Sequence, residues 1–117
     1  MVCLIVEGKN DVKKIREVFS EGIDFILLDG VNFSNAKSNE IQLLLDDNRT
    51  IFILTDPDKA GDSVANLIQR KFPTIERISV LPEEARILKA KGYKYGVEYC
   101  SRKYIYSLLF KHLKWAN

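Results

Sequence analysis

The stretch Thr50-Ile51-Phe52-Ile53-Leu54-Thr55-Asp56-Pro57-Asp58-Lys59-Ala60-Gly61-Asp62 runs from an apolar strand into a helix through an acidic turn. Its first part, read as a strand over Thr50 to Leu54, is a nearly unbroken β-branched and aliphatic run. Strands buried on both faces of a parallel sheet have that pattern. Pro57 fixes its own φ and keeps Asp56 out of the helical region, so Asp56 and Asp58 are held extended. Residues two apart in extended chain point to the same side. Gly61 permits a tight entry into the next helix, which carries Val64, Leu67, Ile68 and Phe72 on one face and stops before Pro73.

Val2 to Val6 repeats the buried-strand pattern, and Phe25 to Leu28 and Ile75 to Leu81 read as two further strands. Val12, Ile15, Val18 and Phe19 recur at helical spacing, as do Ile41, Leu44 and Leu45. A last helix is expected from Ser101, a good N-cap, through Ile105, Leu108, Leu109 and Leu113. Asp46-Asp47-Asn48 reads as a helix-to-strand turn, and Asp29-Gly30 as a turn leading into a polar loop with Asn32, Ser34 and Asn35. Strand–helix alternation with crossovers of this length predicts an α/β fold, a mostly parallel four-stranded sheet of Rossmann-like type flanked by helices. With 117 residues and no linker, repeat or low-complexity stretch, the expectation is one domain over 1–117.

In such sheets ligands bind at the carboxyl ends of the strands. The segments after the first and third strands are Glu7-Gly8-Lys9-Asn10-Asp11 and Thr55 to Asp62. Glu7, Asp56 and Asp58 are expected to converge, with Asp11 and Asp62 close by. Bare carboxylates gathered this way repel one another, and a hard divalent cation relieves the repulsion. Oxygen-only ligands favour Mg²⁺ over zinc, with Mn²⁺ able to stand in. Asp56 and Asp58, short and on one rigid turn, suit metal ligation, whereas the longer Glu7 suits a general acid or base. Lys9 and Lys59 flank the site and either meet phosphate or are simply exposed turn residues. Read alone, Asp-Pro-Asp in a turn needs no metal; the combination with Glu7-Gly8 is far more specific.

That combination resembles the Toprim family of primases, topoisomerases and small nucleases, on Val6-Glu7-Gly8-Lys9-Asn10-Asp11 and Leu54-Thr55-Asp56-Pro57-Asp58-Lys59-Ala60-Gly61-Asp62. More narrowly, Ile53 to Gly61 and Gly96-Val97-Glu98-Tyr99-Cys100-Ser101 are similar to the Toprim half of the bacterial ribonuclease that matures 5S ribosomal RNA. The resemblance runs from Val2 to Leu109. It implies a Mg²⁺ site with Asp56 and Asp58 as ligands and Glu7 as acid/base. Gly8, Lys9, Asp11, Lys59, Asp62 and Glu98 are further site candidates, Glu98 either on the rim or orienting a turn. The chain departs from the pattern at Asp62, where that family usually has glutamate, and at Ala65, where it usually has arginine. The family's enzyme also carries a second domain after its Toprim part. The implied function is Mg²⁺-dependent phosphodiester chemistry on nucleic acid, RNA more than DNA, as an RNA-processing nuclease. A non-catalytic nucleic-acid-binding module acting with a second protein subunit is the alternative.

Composition agrees with a globular protein: 46% hydrophobic, 29% charged, net charge +2. From Arg86 onward eight basic residues (Arg86, Lys89, Lys91, Lys94, Arg102, Lys103, Lys111, Lys114) face only Glu98, with Tyr93, Tyr95, Tyr99 and Trp115 interleaved. This flank either tracks a phosphate backbone or is a solvated helix face with its aromatics turned inward. Cys3 and Cys100 match no metal spacing and read as reduced, buried thiols in a cytoplasmic protein. No apolar run approaches the roughly 20 residues of a membrane span. A receiver-type phosphoacceptor is disfavoured, because Val80-Leu81-Pro82-Glu83, read as the end of the fourth strand, supplies no cation. His112, among Lys111 and Lys114, reads as part of a solvated helix face.

Overall fold

Strand β1 (Val2–Val6) is buried along its whole length, and its alternate residues enter two different cores. Val2, Leu4 and Val6 pack with Ile15, Ile105, Leu108 and Leu109. Cys3 and Ile5 pack with Ile41, Val64, Ala65 and Ile68. A strand covered on both faces has no polar side, which is why this run and the third lack alternation. The structure, a computed structural model, describes residues 2–30 and 33–113. Asn32, Lys114 and Trp115 lie outside the described residues.

The sheet has the order β2-β1-β3-β4 and is parallel throughout, with β2 at Ile23–Leu27, β3 at Thr50–Ile53 and β4 at Glu76–Arg77. Helices α1 (Lys9–Arg16) and α4 (Arg102–Leu113) contribute to one core, α2 (Asn35–Asp46) and α3 (Lys59–Lys71) to the other. Ser101 does cap α4, its hydroxyl accepting the Tyr104 N–H at 3.1 Å. Ser34 caps α2 in the same way through Lys37 N–H.

Two expected strands shift. β2 begins at Ile23 rather than Phe25, because Val2 pairs with Ile23 at the sheet's edge. β4 is two residues long instead of running from Ile75 to Leu81. The Ile78 N–H still donates to the Ile53 carbonyl at 2.8 Å. Beyond it β3 has turned off into Asp56-Pro57-Asp58, leaving no ladder for the buried Ile78 and Val80 to join. The fourth strand therefore does end in a cation, Arg77, contrary to the expectation that its end supplies none. That cation is directed to a backbone carbonyl and to Asp62.

Between β4 and α4 the chain forms an antiparallel hairpin, β5 (Arg86–Lys89) and β6 (Gly92–Tyr95), closed by Gly92 at φ 114°. The sequence predicts the basic flank as a helix face with inward aromatics or as a phosphate track. Its first third is an exposed ribbon, with Tyr93 50% exposed. Arg86 lies over the Tyr93 ring, 4.1 Å from its centre. His112 also differs from expectation. Its side chain is 21% exposed, with Nε2 3.2 Å from Glu76 and its ring edge-on to Phe52, so it ties α4 to the sheet. Cys3 and Cys100 are free and buried, and burial pushes their thiols up to about 11 and about 12. Among the described residues no helix is long and apolar enough to cross a membrane.

Candidate active site

The parallel pairing sets the ends of β1, β2 and β3 side by side, and the site is built on the residues immediately after them. Glu7 succeeds the last residue of β1, and its Oε1 accepts the Asp56 N–H at 3.0 Å. On the other side, the Asp29 N–H donates to the Glu7 carbonyl at 3.0 Å. Asp11, buried in the first turn of α1, accepts the Gly8 N–H at 3.1 Å and so steadies the Glu7-Gly8 turn. Asp56 Oδ1 accepts the Val97 N–H at 2.7 Å, tying the turn to the segment after the hairpin. Asp58 caps α3, its Oδ1 accepting the Gly61 N–H at 2.7 Å, and Thr55 Oγ1 donates to the Gly61 carbonyl at 3.0 Å.

A pocket opens between these strand ends, faced by the carboxylates Glu7, Asp11, Asp29, Asp56 and Glu98. Lys9 is the one cation among its lining residues, and Gly8, Asn10 and Gly30 complete the wall. Burial, together with the negative charge of Asp56, pushes Glu7 up to about 7. The same two causes push Asp11 up to about 6, and burial raises Asp56 as well. Desolvation and like charge both disfavour the ionised forms.

The pocket therefore contains Glu7, Gly8, Lys9, Asp11, Asp56 and Glu98 of the residues named from the sequence. Asp58 is not among its lining residues, although its charge contributes to raising both Glu7 and Asp56. Lys59 is exposed at the start of α3. Asp62 is turned aside to Arg77, 2.7 Å away. Among the described residues no three His, Cys, Asp or Glu side chains form a ready-made ligand trio. The donor set nevertheless fits Mg²⁺ or Mn²⁺. It is all carboxylate, it carries excess negative charge, and Mg²⁺ needs only one or two protein carboxylates beside water and phosphate oxygens. Ala65 is fully buried against the sheet, so the lack of an arginine there concerns core packing and not a surface contact.

Two residues of this region are missed by the sequence reading. Asp29, legible only as a turn, faces the pocket from a left-handed backbone at φ 51°, which aspartate tolerates better than most residues. Its position after β2 is the signal that could have found it, since the strand-end rule applies to every strand of the sheet. Arg77 donates from Nη2 to the Asp56 carbonyl at 3.1 Å and from Nη1 to Asp62 at 2.7 Å. Asp62 is 58% exposed in this pair, so the ion pair itself is worth under about 1 kcal/mol. Arg77→Met should cost about 2 kcal/mol in chemical denaturation, most of it from the Asp56 carbonyl. A double-mutant cycle with Asp62→Asn checks this. Coupling much above 1 kcal/mol would place the value of Arg77 in the ion pair instead.

The family model of the Toprim domain matches residues 2–89. Ribonuclease M5 of Fusobacterium nucleatum is 29% identical over 108 residues, 92% of this chain and 56% of that protein. Ribonuclease M5 of Bacillus anthracis is 29% identical over 102 residues, 87% of this chain and 52% of that protein. The chain thus spans about half the length of these curated relatives. A solved small Toprim domain protein from Bacillus stearothermophilus superposes with a TM-score of 0.76 at 22% identity, covering 95% of this chain and 84% of that one. On its four-stranded parallel sheet flanked by four helices, and on the matching family model, the chain belongs to the Toprim family.

Proposed function

We propose that this protein carries out Mg²⁺-dependent phosphodiester cleavage on RNA. The observation that carries the reading is the pocket of five carboxylates at the strand ends, in which Glu7 is bonded to the backbone of Asp56. The resemblance to Ribonuclease M5 supports RNA as the substrate class.

Asp56 and Asp58 would hold the cation. When bound, Mg²⁺ stabilises negative charge on the phosphoryl oxygens. The chain's own residues do the rest. Val97 N–H and the Arg77 bond to the Asp56 carbonyl hold that carboxylate in place. Glu7, held by the Asp56 N–H on one oxygen, would serve as the general acid or base. Lys9, on the pocket wall, would meet a substrate phosphate.

The test is calorimetric Mn²⁺ titration of wild type and Asp58→Asn, then cleavage assays on structured RNA with Mg²⁺ and with chelator. Asparagine caps a helix about as well as aspartate, so the variant removes charge and keeps α3 intact. Metal binding at least tenfold weaker in the variant, with cleavage lost in chelator, is the expected result. A second reading, a binding module without turnover, is favoured by the lack of a preassembled ligand trio among the described residues. RNA bound and never cleaved at millimolar Mg²⁺ would establish it.

A further inference from the structure

The hairpin β5–β6 is rooted in the pocket yet contributes no residue to it. At its base the Gly96 N–H donates to the Ala85 carbonyl at 2.8 Å, and Ala85 is fully buried. The next residue, Val97, is also buried and supplies the N–H that holds Asp56, and Glu98 comes after it on the pocket wall. So the base is fixed to the acidic site. Beyond it the ribbon stands clear of both cores, every strand residue exposed except the half-buried Tyr95.

Its surface has one charge sign. From Ala85 to Val97 there are four cations, Arg86, Lys89, Lys91 and Lys94, and no acidic residue. None of them is engaged by a carboxylate in the ion pairs found among the described residues. The register Arg86↔Tyr95 and Leu88↔Tyr93 puts Arg86 and both tyrosines on one face. There the Arg86 guanidinium covers one side of the half-exposed Tyr93 ring, and Tyr95 is tilted 44° to it, which leaves Tyr93 unstacked by Tyr95. Lys89 and Lys94 belong to the opposite face, with Lys91 in the turn.

We propose that this hairpin is a clamp for an unpaired stretch of RNA leading to or from the acidic pocket. Lys89, Lys91 and Lys94 meet its phosphates, and the Tyr93–Arg86 pair stacks against a base. Charge complementarity commits the surface to a polyanion, and the exposed ring selects for bases free to stack. A duplex fits poorly, because the A-form major groove is too narrow to admit a ribbon and its bases are already stacked. The role rests on the RNA reading of the pocket, for which it supplies the substrate's grip and the preference for single-stranded segments. The acidic pocket by itself repels phosphate, so a separate cationic surface anchored beside it answers a need of that chemistry.

The test measures binding in chelator, with the full chain carrying Glu7→Gln so that nothing is cleaved. The probes are a 12-nucleotide single-stranded RNA carrying 2-aminopurine and a blunt RNA duplex of equal length. Replacing Lys89, Lys91 and Lys94 together by alanine should weaken single-strand binding at least tenfold at low salt. It should also reduce the slope of log affinity against log salt by about 2, from roughly 0.7 per lost phosphate contact. Tyr93→Leu should weaken binding about tenfold and abolish quenching of the 2-aminopurine, while Tyr93→Trp retains both. Unchanged melting temperatures show that the variants are folded. Equal affinity for the duplex, an unchanged salt slope in the triple variant, or self-association through Ile87 and Leu88 in place of RNA binding overturns the clamp. The pocket reading is decided separately, by cleavage with Mg²⁺. Cleavage with unchanged KM in the hairpin variants leaves a nuclease without this clamp, and hairpin-dependent binding without cleavage leaves the clamp without a nuclease.

Discussion

Gly61→Ala is expected to unseat the Asp56 turn and with it the candidate metal site. A Cβ at this position would lie 2.0 Å from the Asp56 carbonyl oxygen, 2.9 Å from its carbon and 3.0 Å from its nitrogen. All three are backbone atoms and cannot swing away, so either α3 or the turn must move. The bonds that join them go through Gly61 itself, its N–H to Asp58 and its carbonyl to Thr55, and they are strained together. Overpacking of this severity costs about 3 kcal/mol, on the order of 10 °C in melting temperature for a chain of this size. Mn²⁺ binding should fall in parallel. Gly8→Ala is the control, since a Cβ there meets nothing within 4 Å; its cost should stay near 1 kcal/mol or less. A Gly61→Ala protein that melts within about 2 °C of wild type, well under the shift expected of overpacking, would refute this account of the turn.

Glu7→Gln is expected to separate catalysis from stability by moving them in opposite directions. Glutamine keeps an oxygen to accept the Asp56 N–H but gives up the charge and the exchangeable proton. If Glu7 is the general acid or base, the cleavage rate should fall by about 10²–10⁴-fold. Stability of the metal-free protein should rise, with a definite pH signature. Glu7 has its folded value at about 7 against an ordinary 4.5, because burial and Asp56 disfavour its charge. Its neutral form is the tolerated one, so nothing is lost below about pH 4.5, and stability falls as pH rises from there through about 7. The melting temperature of Glu7→Gln should therefore overtake that of wild type across this window in chelator. Saturating Mg²⁺ should shrink the difference at pH 8, since the cation compensates the charge that glutamine removes. A constant gap from pH 4 to 8 would mean that Glu7 carries no buried-charge penalty.

These two residues show how unevenly the site is legible. The need for glycine at Gly61 and an acid at Glu7 can be suspected from local patterns, a Pro-held Asp56-Pro57-Asp58 turn and a strand ending in Glu7-Gly8. Their partners are 5 and 49 residues away, Asp56 in both cases. The first falls within one turn of chain. The second exists only because β1 and β3 pair. Asp29 reads in sequence as an ordinary turn, and the hairpin as part of a basic flank with helical character. The hairpin does leave a trace, Ala90-Lys91-Gly92 between two short runs rich in β-formers, but four-residue strands make a weak periodic signal.

Local sequence alone specifies the parallel α/β class, the locations of β1 and β3, the capped start of α4, and the acidic turns Glu7-Gly8 and Asp56-Pro57-Asp58. Those features arise from periodicity and turn chemistry within a few residues, where the backbone has few choices. The order β2-β1-β3-β4, the gathering of Asp29 and Glu98 with Glu7 and Asp56, the grip of Arg77, and the raised pKa values of Glu7 and Asp11 come from long-range packing. Each of these depends on surfaces far apart in the chain excluding water from one another. A carboxylate's environment is set by what buries it, and that is fixed only when the strands have paired and the helices have closed over them.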